Sequence, residues 1–257
     1  SPGTRGVFEP RRAGHISPRR LVEAQTVAAE RQGATVIREP VHALAVRDDG
    51  VEVTTASGRA VWADRVLVAT GGFANVHAVM ARKLAITVRG RTIVKAEVDA
   101  ERLGRLRTMP SLIVGGTAPL GDPYILPPIR YPDGRWYVKL GTGEFEHRLT
   151  TLAEMVDWFQ SAGGAEDREA LHQTVVSLIP DLDGAPIHTD TCAVTATVSG
   201  CPYVDLIADG RVGIAIGGNG KAAKSSDEIG RLGAELVLTG AWSGDLPAET
   251  FRARFLD

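Results

Sequence analysis

Hydrophobic and polar positions change period several times along the chain, and each change marks an element. Ser17 and Pro18 suit the N-cap and first position of a helix, and Leu21, Ala24, Ala28 and Ala29 then recur at helical spacing up to Gly33. Ala34 to Arg38 reads as a strand. Val41 to Val46, the turn Asp48-Asp49-Gly50, the alternation Val51, Val53, Thr55, the turn Ser57-Gly58 and Arg59 to Ala63 predict a small antiparallel meander. The run Arg65 to Thr70, closed by Gly71-Gly72, has the unbroken apolar character of a strand buried on both faces in a parallel sheet.

The middle of the chain differs. The β-rich runs Ala85–Val88, Thr92–Val98 and Ser111–Val114 are separated by Pro and Gly turns, and Trp136 to Leu140 follows the turn Pro132-Asp133-Gly134. Together they predict an antiparallel sheet. Thr151 and Glu154 have capping-box spacing ahead of Met155, Val156, Trp158 and Phe159, and a second helix runs from Glu166 to Leu178, stopped by Pro180. Trp136, Trp158 and Phe159 read as core. The last quarter returns to the opening pattern: strands Tyr203–Ala208 and Arg211–Ile216 about an Asp209-Gly210 turn, then Gly217-Gly218-Asn219-Gly220. Ser225 and Glu228 are spaced as another capping box, opening a helix with Ile229, Leu232, Leu236 and Val237 on one face. The expected layout is one α/β layer built from 1–82 and 186–257, with a β-rich insertion over 83–185.

Composition narrows the function. Hydrophobic residues make up 44% and charged residues 23% of 257, ordinary for a folded soluble chain. Lys and Arg (29) nearly balance Asp and Glu (31), so no basic excess points to nucleic acid or an anionic membrane. No run approaches the ~20 apolar residues of a membrane helix. Arg5, Arg11, Arg12, Arg19 and Arg20 crowd the first twenty residues, unlike a secretory signal, and a cytoplasmic location is expected by default. Two cysteines, Cys192 and Cys201, make no disulfide scaffold; His15, His42, His77, His172 and His188 show no metal spacing. Glycine is the unusual count: 29 of 257 is about 11%, against ~7% typically. The glycines gather at Gly71-Gly72, Gly115-Gly116, Gly141/Gly143 and Gly217–Gly220, where backbone turns sharply or meets a ligand closely.

The strongest chemical signal is the strand, glycine turn and helix from Gly217 to Glu228. Glycines open the backbone, and a helix N-terminus carries unsatisfied N–H groups and partial positive charge. Such a turn suits an anion or an electron-rich cofactor, and Lys221 and Lys224 in the same loop add to that; it also reads as a plain tight connection. Val66 to Gly72 would place open backbone at the carboxyl edge of a sheet, where α/β proteins bind ligands.

Several stretches then carry a family resemblance. Gly14-His-Ile-Ser-Pro18 with Leu21, Gly33-Ala34, Asp49-Gly50-Val51 and Val66-Leu-Val-Ala-Thr-Gly-Gly72 resemble the middle of a flavoprotein of the D-amino-acid oxidase type. Thr191-Cys-Ala-Val-Thr-Ala-Thr197, Pro202 and Asp205, Gly217-Gly-Asn-Gly220 and Lys224-Ser-Ser-Asp-Glu-Ile-Gly230 resemble its C-terminal third, nearest the sarcosine oxidase and glycine oxidase branch. The resemblance implies an α/β fold: a Rossmann-like FAD-binding layer, partial because the N-terminal βαβ unit is absent, plus an antiparallel β-rich substrate domain. It implies an enzyme that oxidises the CH–NH bond of an amine or amino acid by hydride transfer to flavin N5, with O2 as acceptor in an oxidase or another acceptor in a dehydrogenase. Such proteins open with Gly-x-Gly-x-x-Gly under the FAD pyrophosphate. No such motif opens this sequence, so an N-terminal fragment or second chain carrying it is the expected partner. The alternative is a non-catalytic piece or subunit of a split or cleaved flavoprotein that needs another chain to bind FAD.

Roles follow residue by residue from the resemblance. Lys139, in Tyr137-Val-Lys-Leu-Gly141, matches the lysine over the flavin that promotes reaction with O2; a solvent-facing strand lysine is the other reading. The branch has a histidine four residues later, where this chain has Gly143. Cys192 matches the cysteine that forms a thioether to the flavin in covalent members; a small buried hydrophobe is the other reading. Gly217, Gly218, Asn219 and Gly220 would lie under the flavin pyrimidine ring, with Lys221 or Lys224 contacting the flavin or a substrate carboxylate. Val41 resembles the backbone contact to adenine, and Thr70 and Gly71 the stretch passing the dinucleotide. Arg130 and Tyr131 lie on the expected substrate sheet, where an arginine would clamp a carboxylate or serve structure only. Cys201 has no matching role, and no Cys192–Cys201 disulfide is expected.

Overall fold

A computed structural model describes residues 5–11, 13–76, 79–115, 120–208 and 210–256. Arg12, His77, Gly116 and Asp209 of the sequence reading lie outside the described residues. In chain order the first elements are α1 (Pro18–Arg31), β1 (Val41–Arg47), β2 (Gly50–Thr55), β3 (Ala60–Ala63) and β4 (Val66–Val68). Next come β5 (Ile86–Val98), α2 (Ala100–Leu106), β6 (Leu112–Ile113), β7 (Tyr124–Arg130), β8 (Trp136–Gly141) and β9 (His147–Leu149). The last are α3 (Leu152–Gln160), α4 (Ala165–Leu178), β10 (Ile187–Thr197), β11 (Tyr203–Ile207), β12 (Val212–Ile216) and α5 (Ser226–Thr239). The architecture is mixed α/β with an antiparallel β-rich part.

The chain divides into two compact units. The first comprises Ser1–Gln32, Ile93–Glu144 and Gly164–Asp190. Its centre is antiparallel: β8 pairs with β5 (Lys95 opposite Lys139) and with β7, and β7 pairs with β6. Pro127 and Pro128 sit where the β7–β8 register shifts between Leu126 and Ile129, as prolines without an N–H must. Val94, Ile125, Val138, Leu140, Leu171 and Val175 are fully buried.

The second unit comprises Gly33–Thr92, Phe145–Gly163 and Thr191–Asp257. The meander β1–β2–β3 is antiparallel, as its alternation predicts. A separate three-stranded sheet has the order β11–β12–β4, with β12 antiparallel to β11 and parallel to β4 (Val212 opposite Val66, Ile214 opposite Val68). Its core joins Val51, Val68, Leu84, Tyr203, Ile214 and Ile216. Leu232 and Leu236 of α5 pack on Val204 of β11. A Cβ at Gly213 would strike the Val237 side chain, so glycine lets α5 close on β12.

Local signals held well. Ser17 caps α1, with Pro18 in its first turn. Thr151 and Glu154 form both halves of a capping box on α3. Five expectations need correction. Ala34 to Arg38 enters no ladder, because no described strand lies alongside it. The Arg65–Thr70 run yields only the three residues of β4, an edge strand with one partner; Val66 and Leu67 are half-buried, and the chain then winds into a 3-10 turn over Gly71–Asn75. The runs Ala85–Val88 and Thr92–Val98 form the single strand β5. Trp136 and Phe159 are exposed rather than core: Trp136 heads β8 beside its turn, and Phe159, near the end of α3, stacks on Phe73. Ser225 makes no cap hydrogen bond, because a 3-10 turn (Ala222–Lys224) leads straight into α5 and leaves Ser225 at ψ 8° rather than extended; Glu228 pairs with Arg231 instead. The helix α2 was not read from sequence: Asp99 caps it, but only Leu106 of its seven residues is buried, so no apolar periodicity marks it.

The capping box on α3 yields a pH prediction. Glu154 Oε2 accepts from Thr150 N at 2.6 Å and Thr151 N at 3.0 Å, and these N–H groups, Thr150's first, hold its carboxyl below the ordinary value near 4.5. A depressed folded pKa means the stabilisation is present above the ordinary value and disappears as pH falls through the folded one. Glu154→Gln is therefore expected to lower the urea midpoint at neutral pH, with the gap from the parent narrowing below about pH 4. An equal gap at both pH values would contradict the assignment.

Candidate functional site

The parallel pairing of β4 and β12 decides where open backbone collects. Parallel strands end at the same edge, so Thr70-Gly71 after β4 and Gly217–Gly220 after β12 leave the sheet side by side, within the second unit. This is the carboxyl edge, where open α/β sheets bind ligands.

Both segments converge on one residue of β10. A Cβ built on Gly72 would lie 3.2 Å from Thr195 Oγ1 and 3.2 Å from Val88 of β5. The N–H of Asn219 donates to the Thr195 carbonyl at 2.9 Å. Asn219 is one of two described non-glycine residues with positive φ, at +50°. Its Oδ1 accepts from Thr197 N at 2.9 Å, and its Nδ2 donates to the Gly217 carbonyl at 2.7 Å. Asparagine tolerates this left-handed region because its short amide finds local partners. Gly217 has φ +92°, and a Cβ there would collide with the Thr197 methyl. The turn is thus fastened to β10 at Thr195 and Thr197.

Beyond the turn, the Lys221 N–H donates to the Gly218 carbonyl at 2.8 Å, while the side chains of Lys221 and Lys224 are exposed. With Ser225 making no side-chain cap, the opening N–H groups of α5 are left to partners other than that side chain. The helix end keeps its partial positive charge beside the glycine turn.

Cys192 lies three residues before Thr195 on β10 and is half-buried, with its thiol reduced. Its carbonyl accepts from Trp158 Nε1 at 3.0 Å. Trp158 in turn stacks on His147 at 4.7 Å and covers Gly90, where a Cβ would lie 2.5 Å from the indole.

Comparison with known proteins fits this geometry to a family. The DAO family, described as FAD dependent oxidoreductases, matches residues 1–236. The chain belongs to that family. No curated protein matches the sequence. Among solved structures it is similar to NikD, an unusual amino acid oxidase essential for nikkomycin biosynthesis (TM-score 0.72, 18% identity, 93% of this chain and 61% of that one). It is also similar to iminodiacetate oxidase from Chelativorans sp. BNC1 (0.69, 18%, 92% and 58%). A third is the fructosyl amine:oxygen oxidoreductase Amadoriase I from Aspergillus fumigatus (0.64, 16%, 82% and 48%). At these identities the likeness is one of fold. The chain spans about three fifths of the length of the first of these structures.

Within this DAO-family chain, the residues expected around FAD fall in the second unit: Val41, Thr70, Gly71, Cys192, Gly217, Gly218, Asn219, Gly220, Lys221 and Lys224. Val41 opens β1 beside a register shift. A Cβ on Gly71, at φ +56°, would meet nothing within 4 Å. Open backbone at Gly71, the glycine turn and the α5 N-terminus together fit the electron-rich end of a flavin. The Asn219 side chain is engaged by Thr197 and Gly217, and its N–H by the Thr195 carbonyl. From sequence, Thr195 and Thr197 were only part of the stretch carrying the resemblance and Trp158 was read as core, so none had a site role; they act through cross-strand contacts that no local pattern reveals.

The remaining expected residues lie in the first unit. Lys139, half-buried on β8, has its Nζ 5.6 Å from the Tyr124 ring centroid and stands opposite Lys95. Arg130 is exposed, and its Nε donates to the carbonyl of Gly134 in the adjoining turn. Tyr131 meets Tyr137 edge-on at 5.2 Å, with Lys95 Nζ 5.1 Å from its ring. Burial, and then the charge of Asp190, push the Tyr131 phenol upward against the pull of Arg19. No described helix is long and apolar enough to cross a membrane.

The fastening at Asn219 is directly testable. Asn219→Gly keeps the positive φ and loses both side-chain bonds. Asn219→Ala loses the bonds and strains the backbone as well, so it is expected to be less stable than the glycine variant by roughly 1 kcal/mol. Urea unfolding of the three proteins gives the order, and an alanine variant as stable as the parent would remove Asn219 from the fastening.

Proposed function

We propose that the protein is an FAD-dependent oxidoreductase that oxidises the CH–NH bond of an amine or amino acid, with O2 as acceptor. The observation that carries the reading is the convergence of both carboxyl-edge segments on Thr195 of β10, in a chain of this family. The names of its structural neighbours, an amino acid oxidase, an iminodiacetate oxidase and a fructosyl amine:oxygen oxidoreductase, support amine substrates and O2.

FAD, when bound, supplies the two-electron acceptor for the substrate's α-hydrogen, and water hydrolyses the resulting imine. The chain's own groups hold and bias that chemistry. Gly217, Gly218, Gly220 and the first turn of α5 present N–H donors to negative charge on the flavin pyrimidine, with Lys221 or Lys224 nearby. Thr70 and Gly71 would pass the dinucleotide, and the Val41 backbone would meet adenine. The Cys192 thiol would be the attachment point if the flavin is held covalently. Lys139 supplies the cation that stabilises developing charge on O2. Tyr131 and Arg130 serve the substrate side. A Gly-x-Gly-x-x-Gly segment, which these 257 residues do not contain, would cradle the pyrophosphate; the second reading is a non-catalytic subunit that binds FAD only with another chain.

The test is spectroscopic. Purified protein given FAD is expected to show the visible flavin bands and to bleach anaerobically with at least one member of an amine and amino-acid panel. Lys139→Met should slow reoxidation by O2 on the order of 10²-fold, while bleaching changes little. Colour that stays in an acid pellet, and is released in Cys192→Ala, assigns the covalent bond. A flavin-loaded protein bleached by nothing in the panel sinks the catalytic reading; no colour unless a second chain is added favours the subunit.

A further inference from the structure

The second unit holds a cavity of about 440 Å3 at the amino edge of the β11–β12–β4 sheet. Val212, which opens β12, and its ladder partner Ile207, which ends β11, both line it. Leu44 of β1, Met80 and Phe255 complete the apolar lining. The glycine turn leaves the opposite edge. Four residue steps along β12, from Val212 to Ile216, separate the two edges by about 13 Å. The cavity and the flavin region are therefore different places on one sheet.

The volume lies within the ~300–1,000 Å3 of small-molecule sites. The lining is mostly branched aliphatic, which suits an alkyl chain, and the unbranched thioether of Met80 adapts to what it meets. Apolar walls that face open space forgo the close contacts that fill a protein interior.

Among the described lining residues one is charged, Arg82. Its guanidinium carbon lies 4.6 Å from the centre of the Phe255 ring, and it has no ion pair or hydrogen bond among the described residues. Arg47, next to the lining residue Val46, is by contrast paired with Glu52 at 3.2 Å. Two more cations stand beside Arg82 in the fold. Leu84 bridges to Phe255, the Leu256 N–H donates to the Lys83 carbonyl at 2.9 Å, and the Ala85 N–H donates to the Arg254 carbonyl at 2.7 Å. This short pairing gathers Arg82, Lys83 and Arg254 around Phe255. The carboxylate that reaches the same segment, Asp205, already accepts from the N–H groups of Ala253 and Leu206. The lining is thus apolar and its charge is positive and unmatched. Arginine keeps its proton at any working pH, so that charge is permanent.

We propose that this cavity binds a medium-chain aliphatic carboxylate, with the tail among Leu44, Met80, Ile207 and Val212 and the head on Arg82. The complementarity is specific in sign: a cationic head on the same tail is repelled, and a neutral head forgoes the charge-assisted bond. The site does not depend on the amine-oxidoreductase reading, because no flavin group enters it.

Calorimetric titration of the 257-residue chain tests it, with hexanoate, octanoate and decanoate at concentrations where each is monomeric. Decan-1-ol and decyltrimethylammonium serve as head-group controls. Affinity is expected to rise along the acid series by up to about fourfold per methylene. Decan-1-ol should bind more weakly than decanoate, and decyltrimethylammonium more weakly still. Arg82→Gln should bring decanoate down to the level of decan-1-ol. Ala81→Trp, which places an indole at the lining, should abolish binding of all three acids. Ala81 and Arg82 are both exposed, so both variants should fold, and their unfolding midpoints check this. Added FAD should leave the decanoate affinity unchanged. The proposal is overturned if affinity does not rise with chain length, if the cationic amphiphile binds as well as decanoate, if FAD displaces decanoate, or if either folded variant binds decanoate as the parent does.

Discussion

Everything proposed for the FAD-binding region depends on the parallel ladder between β4 and β12. It joins two short strands from distant parts of the sequence and is only three residue pairs long. Its stability comes from what backs it: Ile214 and Val68 are buried in the core with Tyr203, and α5 lies close on β12 because Gly213 has no side chain. Long-range pairing of this kind carries a loop-closure cost that only burial offsets. Once made, it leaves no freedom in where the two following segments emerge. They leave the same edge, and β10 receives both.

That edge is built from backbone more than from side chains. The polar side chain in the turn after β12, Asn219, is consumed in holding the turn's shape, and the N–H groups of Asn219 and Lys221 are bonded to the Thr195 and Gly218 carbonyls, so any ligand contact falls to the turn's other backbone groups and the end of α5. Fixed dipoles of this sort stabilise charge without reorganising when it appears. A capping serine would have competed for the same donors. The departure of Ser225 from the capping-box geometry is therefore consistent with a helix end reserved for a ligand, and its cause is local: the preceding 3-10 turn sets the backbone of Ser225 away from the extended region a cap requires.

What the sequence made legible was local. The meander, the box at Thr151 and Glu154, and the glycine turn entering α5 each depend on residues within a few positions of one another, and each formed where it was read. Ala34 to Arg38 had the composition of a strand, but a strand exists only with a neighbour. The Arg65–Thr70 run was apolar enough for a two-sided strand, yet β4 has one partner. The family resemblance located the glycine turn and Cys192, and the structure supplied what lies across from them: Thr195, Thr197 and Trp158. Arg89-Gly-Arg91 reads as nothing in particular until the register of β9 brings Arg148 and Glu146 opposite.

Strand β5 also shows how two equally covered charges can differ in how fully they are satisfied. Lys95 and Arg91 are nearly equally covered, with side chains 14% and 12% exposed. Lys95 has a carboxylate, Asp190, at 2.7 Å, and two tyrosine rings within cation–π range. Its charge is matched, and removing any one partner would leave the others in place. Arg91 has its carboxylate at 4.0 Å, shared with an arginine that holds it more tightly, and a buried N–H facing no acceptor among the described residues. Burying a guanidinium without full hydrogen bonding is costly. The difference lies in satisfied hydrogen bonds rather than in exposure, which is why burial alone could not have separated the two.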